Sequence, residues 1–342
     1  MARPVPGKQP TIADVAREAG VSVPTVSRVL TGSTRVSPER EALVHAAIQK
    51  LGFRRNGAAR ALAAGSLPMV AIITSNTTRY GYASTIQGIE EAARAAGHMV
   101  MICVVETDDR EVVEAAVDTA LSQPIAGAVV LEYDPPGAAA LAAVPDWVPL
   151  VALAAGSRTD DTVPHAYMDD RVGAAAATQY LLDLGHATVH HLAIPSAGRE
   201  SSRLVGWREA LEAAGAPVPP PVRAGWAPMS GYEAGLRLAR DPDVTAVLCG
   251  NDELAMGVMR ALQDNGRAVP GDVSVVGFDD HPLGSLWAPS LTTVRQDFVQ
   301  LGREAVRLLG ELRSGDGDVV SARLVPDLVV RASSGPHRSL RR

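Results

Sequence analysis

Apolar residues recur with two different periods along this chain, and the change falls near residue 66. Before it they stand three and four positions apart, the spacing of one helical face. Ile12, Val15, Ala16 and Ala19 form such a stripe. Thr11 can cap that helix while Asp14, three residues on, reaches back to the cap amide. Gly20 supplies the freedom for a tight turn, Ser22 caps a second helix, and Pro24 is tolerated in its first turn. Ser37-Pro38 opens a third helix, with Leu43, Val44, Ala47, Ile48 and Leu51 on the inner face and Gly52 ending it. Two short helices joined by a glycine turn make a helix-turn-helix, whose second helix enters the DNA major groove N-terminus first.

Beyond residue 66 the pattern becomes strand–helix alternation. The runs at 69–75, 99–105, 127–132 and 149–154 read as buried parallel strands, with helices at 84–97 and 110–123 between them. A second series has strands at 189–194, 245–250 and 273–278, separated by helices near 171–184, 201–214, 230–240 and 253–265. Alternation implies doubly wound parallel sheets, and two series imply two lobes. The expected class is α/β, an all-α helix-turn-helix head on a two-lobed core. Such sheets bind ligands beyond their carboxyl ends, which here means the cleft between lobes.

Charge divides the chain at the same place. Residues 1–65 carry a balance of +6 and the rest −12, the signature of a phosphate-binding module on a body that does not bind DNA. At 342 residues the chain exceeds what one core usually holds. No apolar run approaches the ~18–20 residues of a membrane span. The opening MARPVPGKQP lacks an apolar signal-peptide core, so a cytoplasmic location is expected. Cys103 and Cys249 lie in apolar runs and are expected as buried free thiols. His190-His191 point to opposite faces of a strand and make a poor metal site, so no metal and no cofactor is expected. Paired carboxylates occur at Asp160-Asp161, Asp169-Asp170 and Asp279-Asp280, but nothing in the sequence fixes a facing acid–nucleophile pair.

The motifs TIADVAREAGVS, TVSRVL, VSPER and NGAARAL in the head, followed over about residues 11–332, resemble the LacI/GalR family of bacterial transcription regulators. The resemblance implies a periplasmic-binding-protein-like core whose chain crosses between lobes near residues 167, 292–296 and 326. The implied division is a head at 1–54, a hinge helix and linker at 55–66, an N-terminal lobe at 67–166 plus 296–326, a C-terminal lobe at 167–295 plus 327–334, and a tail at 335–342. It implies a homodimer on a near-palindromic operator, with Val23, Pro24 and Arg28 at base edges. Arg28 can offer a bidentate fork to guanine, whereas Val23 and Pro24 offer only apolar contact. Thr25, Ser27 and Thr34 match phosphate positioners, with a purely structural role open for Thr25 and Ser27. Asn56 is a plausible cap of the hinge helix, and Leu62 matches a leucine that wedges between base steps in the minor groove. Arg55 stands where a proline is usual, and Gly57 weakens the helix start.

In the body, the motifs RLVGW, GWAPMSGY, NDELAMG, SVVGFDD and VRQDF bring the chain nearer to the lac-type branch than to the purine-type members. By that resemblance Arg203, Asn251, Asp279 and Gln296 are polar contacts to a sugar effector, and Trp226 is the platform under a pyranose face. Ser75, Tyr80 and Tyr82 would close the cleft from the first lobe, the two tyrosines from a loop. Alternatives stand beside two of these: Asn251 can simply cap the helix that follows it, and Asp279-Asp280 can cap a turn. Trp207 is assigned to the core. Tyr82 replaces a common proline, and Ala155-Gly156-Ser157 replaces an acidic sugar-binding position. The expected function is a sugar-induced repressor, a galactoside leading by resemblance. Alternatives are a regulator using a corepressor or phosphoprotein and, more remotely, a solute-binding protein or carbohydrate enzyme. The tail SSGPHRSLRR carries no heptad, so the dimer is expected to form through lobe helices such as 84–96 and 253–265.

Overall fold

The computed structural model describes residues 10–32, 36–53, 69–157, 162–196, 200–315 and 321–337. They divide into two units, Met1–Ser66 and Leu67–Arg342. The first holds helices α1 (Ile12–Ala19), α2 (Val23–Thr31) and α3 (Pro38–Leu51). A reciprocal capping box starts α1: Asp14 N donates to Thr11 Oγ1 at 3.3 Å, and Thr11 N donates to Asp14 Oδ2 at 2.9 Å. Gly20 ends that helix at φ 65°, a left-handed conformation that a side chain would oppose. Val15, Val26 and Val44 are fully buried where the three helices meet.

Two details of the head differ from expectation. Ser22 and Ser37 occupy the cap positions without a side-chain cap bond, and Ser22 Oγ pairs instead with Thr25 Oγ1 at 2.9 Å. Pro24 and Pro38 in the first turns already remove amides that would need capping. Leu43 is 54% exposed, because α1 and α2 cover only the stripe through Val44, Ala47, Ile48 and Leu51. The hinge positions Arg55, Asn56, Gly57 and Leu62, and Thr34, lie outside the described residues.

The second unit contains two six-stranded sheets. The first lobe runs β1 (Met69–Thr74), α4 (Tyr80–Ala95), β2 (Met99–Val104), α5 (Arg110–Leu121), β3 (Ile125–Glu132), α6 (Pro135–Ala143), β4 (Leu150–Ala154) and β5 (His165–Met168). The second lobe runs α7 (Asp170–Asp183), β6 (His190–Ala193), α8 (Ser202–Ala213), β7 (Val222–Arg223), α9 (Pro228–Leu238), β8 (Ala246–Cys249), α10 (Asp252–Asp264), β9 (Ser274–Asp279) and β10 (Thr292–Arg295). Then α11 (Phe298–Ser314) and β11 (Ser321–Leu324) return to the first lobe, and β12 (Asp327–Val329) ends in the second. The strand orders are β11-β5-β4-β3-β1-β2 and β12-β10-β9-β8-β6-β7. Pairing is parallel except between β10 and β12. The chain thus passes between sheets after Met168, after Arg295 and after Leu324. The first and third passages are tied together, since Asp169 N donates to Leu324 O at 2.8 Å and Arg323 pairs with Asp169 at 2.7 Å.

The run 99–105 is an edge strand and not a buried one. Met99, Ile102 and Val104 reach solvent, and Cys103 is half-buried while Cys249 is fully buried. An apolar run does not reveal whether its strand has one neighbour or two, so the error is intrinsic to the pattern. Helix α4 starts four residues earlier than the apolar stripe suggested. Asn76 Oδ1 accepts from Thr78 N at 2.9 Å and Arg79 N at 2.8 Å, a turn that launches the helix directly. Tyr80 and Tyr82 therefore ride on its first turn instead of in a loop. The helix at 253–265 is α10, which buries its apolar side and exposes Arg260, Gln263 and Asp264.

Helix pairs approach backbone to backbone at glycines. A Cβ on Gly88 of α4 would stand 2.0 Å from Val299 O of α11, and one on Gly206 of α8 would stand 2.0 Å from Arg171 O of α7. Gly206→Ala is expected to cost about 1–3 kcal/mol by forcing α7 and α8 apart. Gly310→Ala, with nothing within 4 Å, is expected to stabilise the same chain by roughly 0.5–1 kcal/mol. Urea unfolding of both variants reads the contrast. Equal midpoints would mean that the α7–α8 crossing is looser than described.

Candidate functional site

Two surfaces carry candidate chemistry, one in each unit. On the head, α2 turns Val26 inward and leaves Val23, Pro24 and Arg28 exposed, with Thr25 and Ser27 half-buried. That face presents one cation and two apolar groups. Thr25 Oγ1 is engaged with Ser22, which favours the structural role for Thr25.

In the second unit the carboxyl ends of both sheets meet around a cavity of about 1190 Å³, counting the space in its open mouth. Tyr80, Tyr82, Arg203, Trp226, Asn251, Asp279 and Gln296 all line it. Ser75 does not. It stands buried behind the first-lobe wall, donating to Asp134 Oδ2 at 2.6 Å. Tyr82 OH donates to the same oxygen at 2.8 Å, and the other Asp134 oxygen caps α6 through Gly137 N at 3.1 Å. Burial, and next the charge of Asp134, push the Tyr82 phenol well above its ordinary range, so it stays a donor. Tyr80 packs beside His281, ring centres 4.8 Å apart, and edge-on to Phe298 at 6.0 Å.

The second-lobe wall is organised by Arg203, in the first turn of α8. Its Nε donates to Asp170 Oδ2 at 2.7 Å, Nη1 donates to Gly250 O, and Nη2 lies 3.4 Å from Gln296 Oε1 and 3.5 Å from Asp279 Oδ1. The guanidinium also sits 4.1 Å from the centre of the Phe278 ring. Gln296 Nε2 donates to Asp170 Oδ1. Instead of lying across the cleft, Arg203 is spent within its own lobe, holding Asp170 and Gln296 in place and offering only its rim to the cavity. Asn251 behaves as the alternative reading allowed: Oδ1 caps α10 through Leu254 N at 2.8 Å, while Nδ2 donates to Trp226 O at 3.3 Å and so fixes the tryptophan.

Asp279 and Asp280 end β9 at φ 111° and 57°, a region that L side chains enter only under constraint. The constraint is visible. Arg331 holds Asp280 at 2.5 Å, and the buried Asp279 Oδ1 accepts no hydrogen bond. Burial raises the Asp279 carboxyl well above the carboxylate range despite Arg203. Beneath them Asp252 accepts from Thr293 Oγ1 and His281 N, both at 2.6 Å, and burial pushes it up to about 7.

Sequence reasoning missed Arg79, Asp134, Asp170 and Asp252. Asp134 before Pro135-Pro136 carries a legible cap signal, and Asp170 was weighed only as a catalytic acid. The others reveal themselves only once the elements are assembled. Arg79 Cζ lies 4.9 Å from the Trp226 ring centre and 5.8 Å from that of Tyr82, linking the two lobes across the cleft. With Asp170 tied to Arg203 and Asp252 to Thr293, the arrangement suits binding: oriented polar groups around an indole face. Among the described residues no cluster of His, Cys, Asp or Glu is placed to hold a metal ion. Nor is any described helix long and apolar enough to cross a membrane.

Comparison with known proteins gives two matching families. The lacI family of bacterial regulatory proteins matches residues 11–56, and the periplasmic binding protein-like domain matches residues 178–334. The lactose operon repressor of Escherichia coli (strain K12) is 32% identical over 328 residues, covering 95% of this chain and 90% of that protein. A crystal structure of the lac repressor dimer bound to operator and the anti-inducer ONPF aligns with a TM-score of 0.87 at 31% identity, over 96% of this chain and 100% of the other. The complex of the transcriptional regulator CelR with cellobiose aligns with a TM-score of 0.68 at 30% identity, over 95% of this chain and 100% of the other.

Proposed function

Because this chain belongs to the lacI family of bacterial regulatory proteins, we propose that it is a homodimeric repressor, released from a near-palindromic operator by a saccharide in the cleft. The observation that carries this reading is the pairing, in one chain, of an α2 face built around Arg28 with an indole-floored cavity between two lobes. One similar structure holds operator DNA and an anti-inducer, and another holds cellobiose. In this reading residues 1–54 are the head, 55–66 the hinge that pairs in the minor groove through Leu62, and the lobes follow the division given above. Val23, Pro24 and Arg28 face bases, while Ser27 and Thr34 contact phosphates. The cavity-lining residues Tyr80, Tyr82, Arg203, Trp226, Asn251, Asp279 and Gln296 contact the effector, and Asn251 and Arg203 also hold the wall. The dimer forms through lobe helices at 84–96 and 253–265, and the exposed apolar side chains of the β2 edge, with Leu286 and Trp287, offer further apolar surface. Its place of work is the cytoplasm, and its role is binding without catalysis, in keeping with relatives named as regulators.

The test is a thermal-shift panel of mono- and disaccharides, each hit being repeated in an operator-binding assay. The expected result is a saccharide that raises the melting temperature and weakens operator binding. In the same assay Arg28→Ala should cost about 1–3 kcal/mol at one base position and relax specificity there. A hit that tightens operator binding would favour the corepressor alternative. An Arg28→Ala footprint identical to the parent's would mean that the head is misread.

A further inference from the structure

Three buried side chains that line the cavity close a ring of hydrogen bonds. Asp170 opens α7 just after the chain leaves β5, Arg203 belongs to the first turn of α8, and Gln296 stands in the passage between β10 and α11. Arg203 Nε donates to Asp170 Oδ2 at 2.7 Å and Nη2 to Gln296 Oε1 at 3.4 Å, while Gln296 Nε2 donates to Asp170 Oδ1. The direction of every bond follows from the groups themselves. A guanidinium only donates and a carboxylate only accepts, so the Gln296 amide must turn its oxygen to Arg203 and its nitrogen to Asp170. One N–H and one lone pair of that amide are left over, side by side at the cavity wall. Vicinal hydroxyls offer the matching acceptor and donor.

We propose that Asp170 is a positioning residue of the effector site: by accepting from both Arg203 and Gln296 it fixes the Gln296 amide, and with it the donor and acceptor left for the ligand. The proposal rests on reading the cleft as a saccharide site and adds a residue that acts on the ligand through Gln296. Counting donors shows why the carboxylate matters. In Asp170→Asn one N–H must face another, whichever way the two amides turn. In Gln296→Glu two carboxylate oxygens face each other. Combining the two changes closes the ring again. The amide at 170 then accepts from Arg203 and donates to the carboxylate at 296, whose other oxygen accepts from Arg203. The net charge of the parent is also kept.

The experiment combines isothermal titration and urea unfolding of the full-length protein. The titrants are methyl β-D-galactoside, methyl β-D-glucoside, lactose and cellobiose. A titrant that binds the parent should bind Asp170→Asn about tenfold or more weakly, the worth of one buried hydrogen bond. Adding Gln296→Glu should restore affinity to within a few-fold, because a sugar hydroxyl can donate to a carboxylate as well as accept from an amide. In a Gln296→Leu background Asp170→Asn should cost about threefold or less, since no amide is left to orient. Full affinity in Asp170→Asn, or an undiminished loss in the Gln296→Leu background, overturns the positioning role and leaves the saccharide reading standing. An Asp170→Asn, Gln296→Glu protein that unfolds at lower urea than Asp170→Asn overturns the ring itself. No heat from any titrant with the parent overturns the saccharide reading and the role of Asp170 together.

Discussion

Arg203→Ala is expected to lower the stability of the second unit by about 3–5 kcal/mol, because it leaves the buried Asp170 carboxylate without its cation. Two of the lost bonds have no replacement: Gly250 O and Asp170 Oδ2 both face a guanidinium now and would face a void afterwards. The pair Arg203→Met with Asp170→Leu should recover part of the loss, since Asp170 is then no longer a buried unpaired charge, although Asp279 still loses its cation. Urea unfolding followed by tryptophan fluorescence reads all three proteins. A single variant that unfolds at the parent's midpoint would show that water reaches Asp170. The consequence for assays is direct: lost effector response in Arg203→Ala reports a collapsed wall together with any ligand contact.

Acid should act through a second buried group in the same lobe. His191, 1% exposed, hydrogen-bonds Leu248 O through Nδ1 at 3.0 Å and stacks on Trp207, ring centres 5.5 Å apart. Burial holds its imidazole down at about 4, against an ordinary value of 6.5. Between these values the unfolded chain binds a proton that the folded chain refuses, so stability falls as pH drops through the window. By about pH 5 this ring alone should remove about 2 kcal/mol relative to neutral pH. His191→Phe keeps the stack on Trp207 and cannot titrate. Urea midpoints measured near neutral pH and near pH 5 should therefore converge for the variant relative to the parent, whatever its absolute stability. Parallel pH dependence in both proteins would mean that His191 is protonated in place.

Legibility in the sequence followed the range of the forces involved. The capping box at Thr11 and Asp14 is local, and it formed as the residues suggested. Strands β3, β4 and β9 announced themselves because both faces are buried and every position must be apolar. Strands β5, β10 and β11 left no trace, since polar residues break up their four positions, whereas the equally short β6 and β8 lie within longer runs at 189–194 and 245–250. The lining positions of Trp226, Asn251 and Gln296 followed from the family resemblance, with which their places just beyond strands or at helix starts agree. What those side chains do was not legible. Arg203 turns inward because Asp170, 33 residues earlier in the chain, waits for it, and no spacing rule connects them. Arg79 meets Trp226 only because two separately folded sheets face each other.

The three passages between the sheets, with Arg323 of one bound to Asp169 of another, bear on mechanics. Two bodies on a single tether can twist, tilt and slide independently. Three cords side by side, two of them lashed together, stiffen against torsion and lateral slip and leave one soft rotation about the line joining them. A molecule wedged beside that line has only this angle to change, so the work of binding is not scattered among other motions. The lobes then behave as the jaws of one lever, whose stroke is set by the thickness of whatever lies between Tyr82 and Trp226.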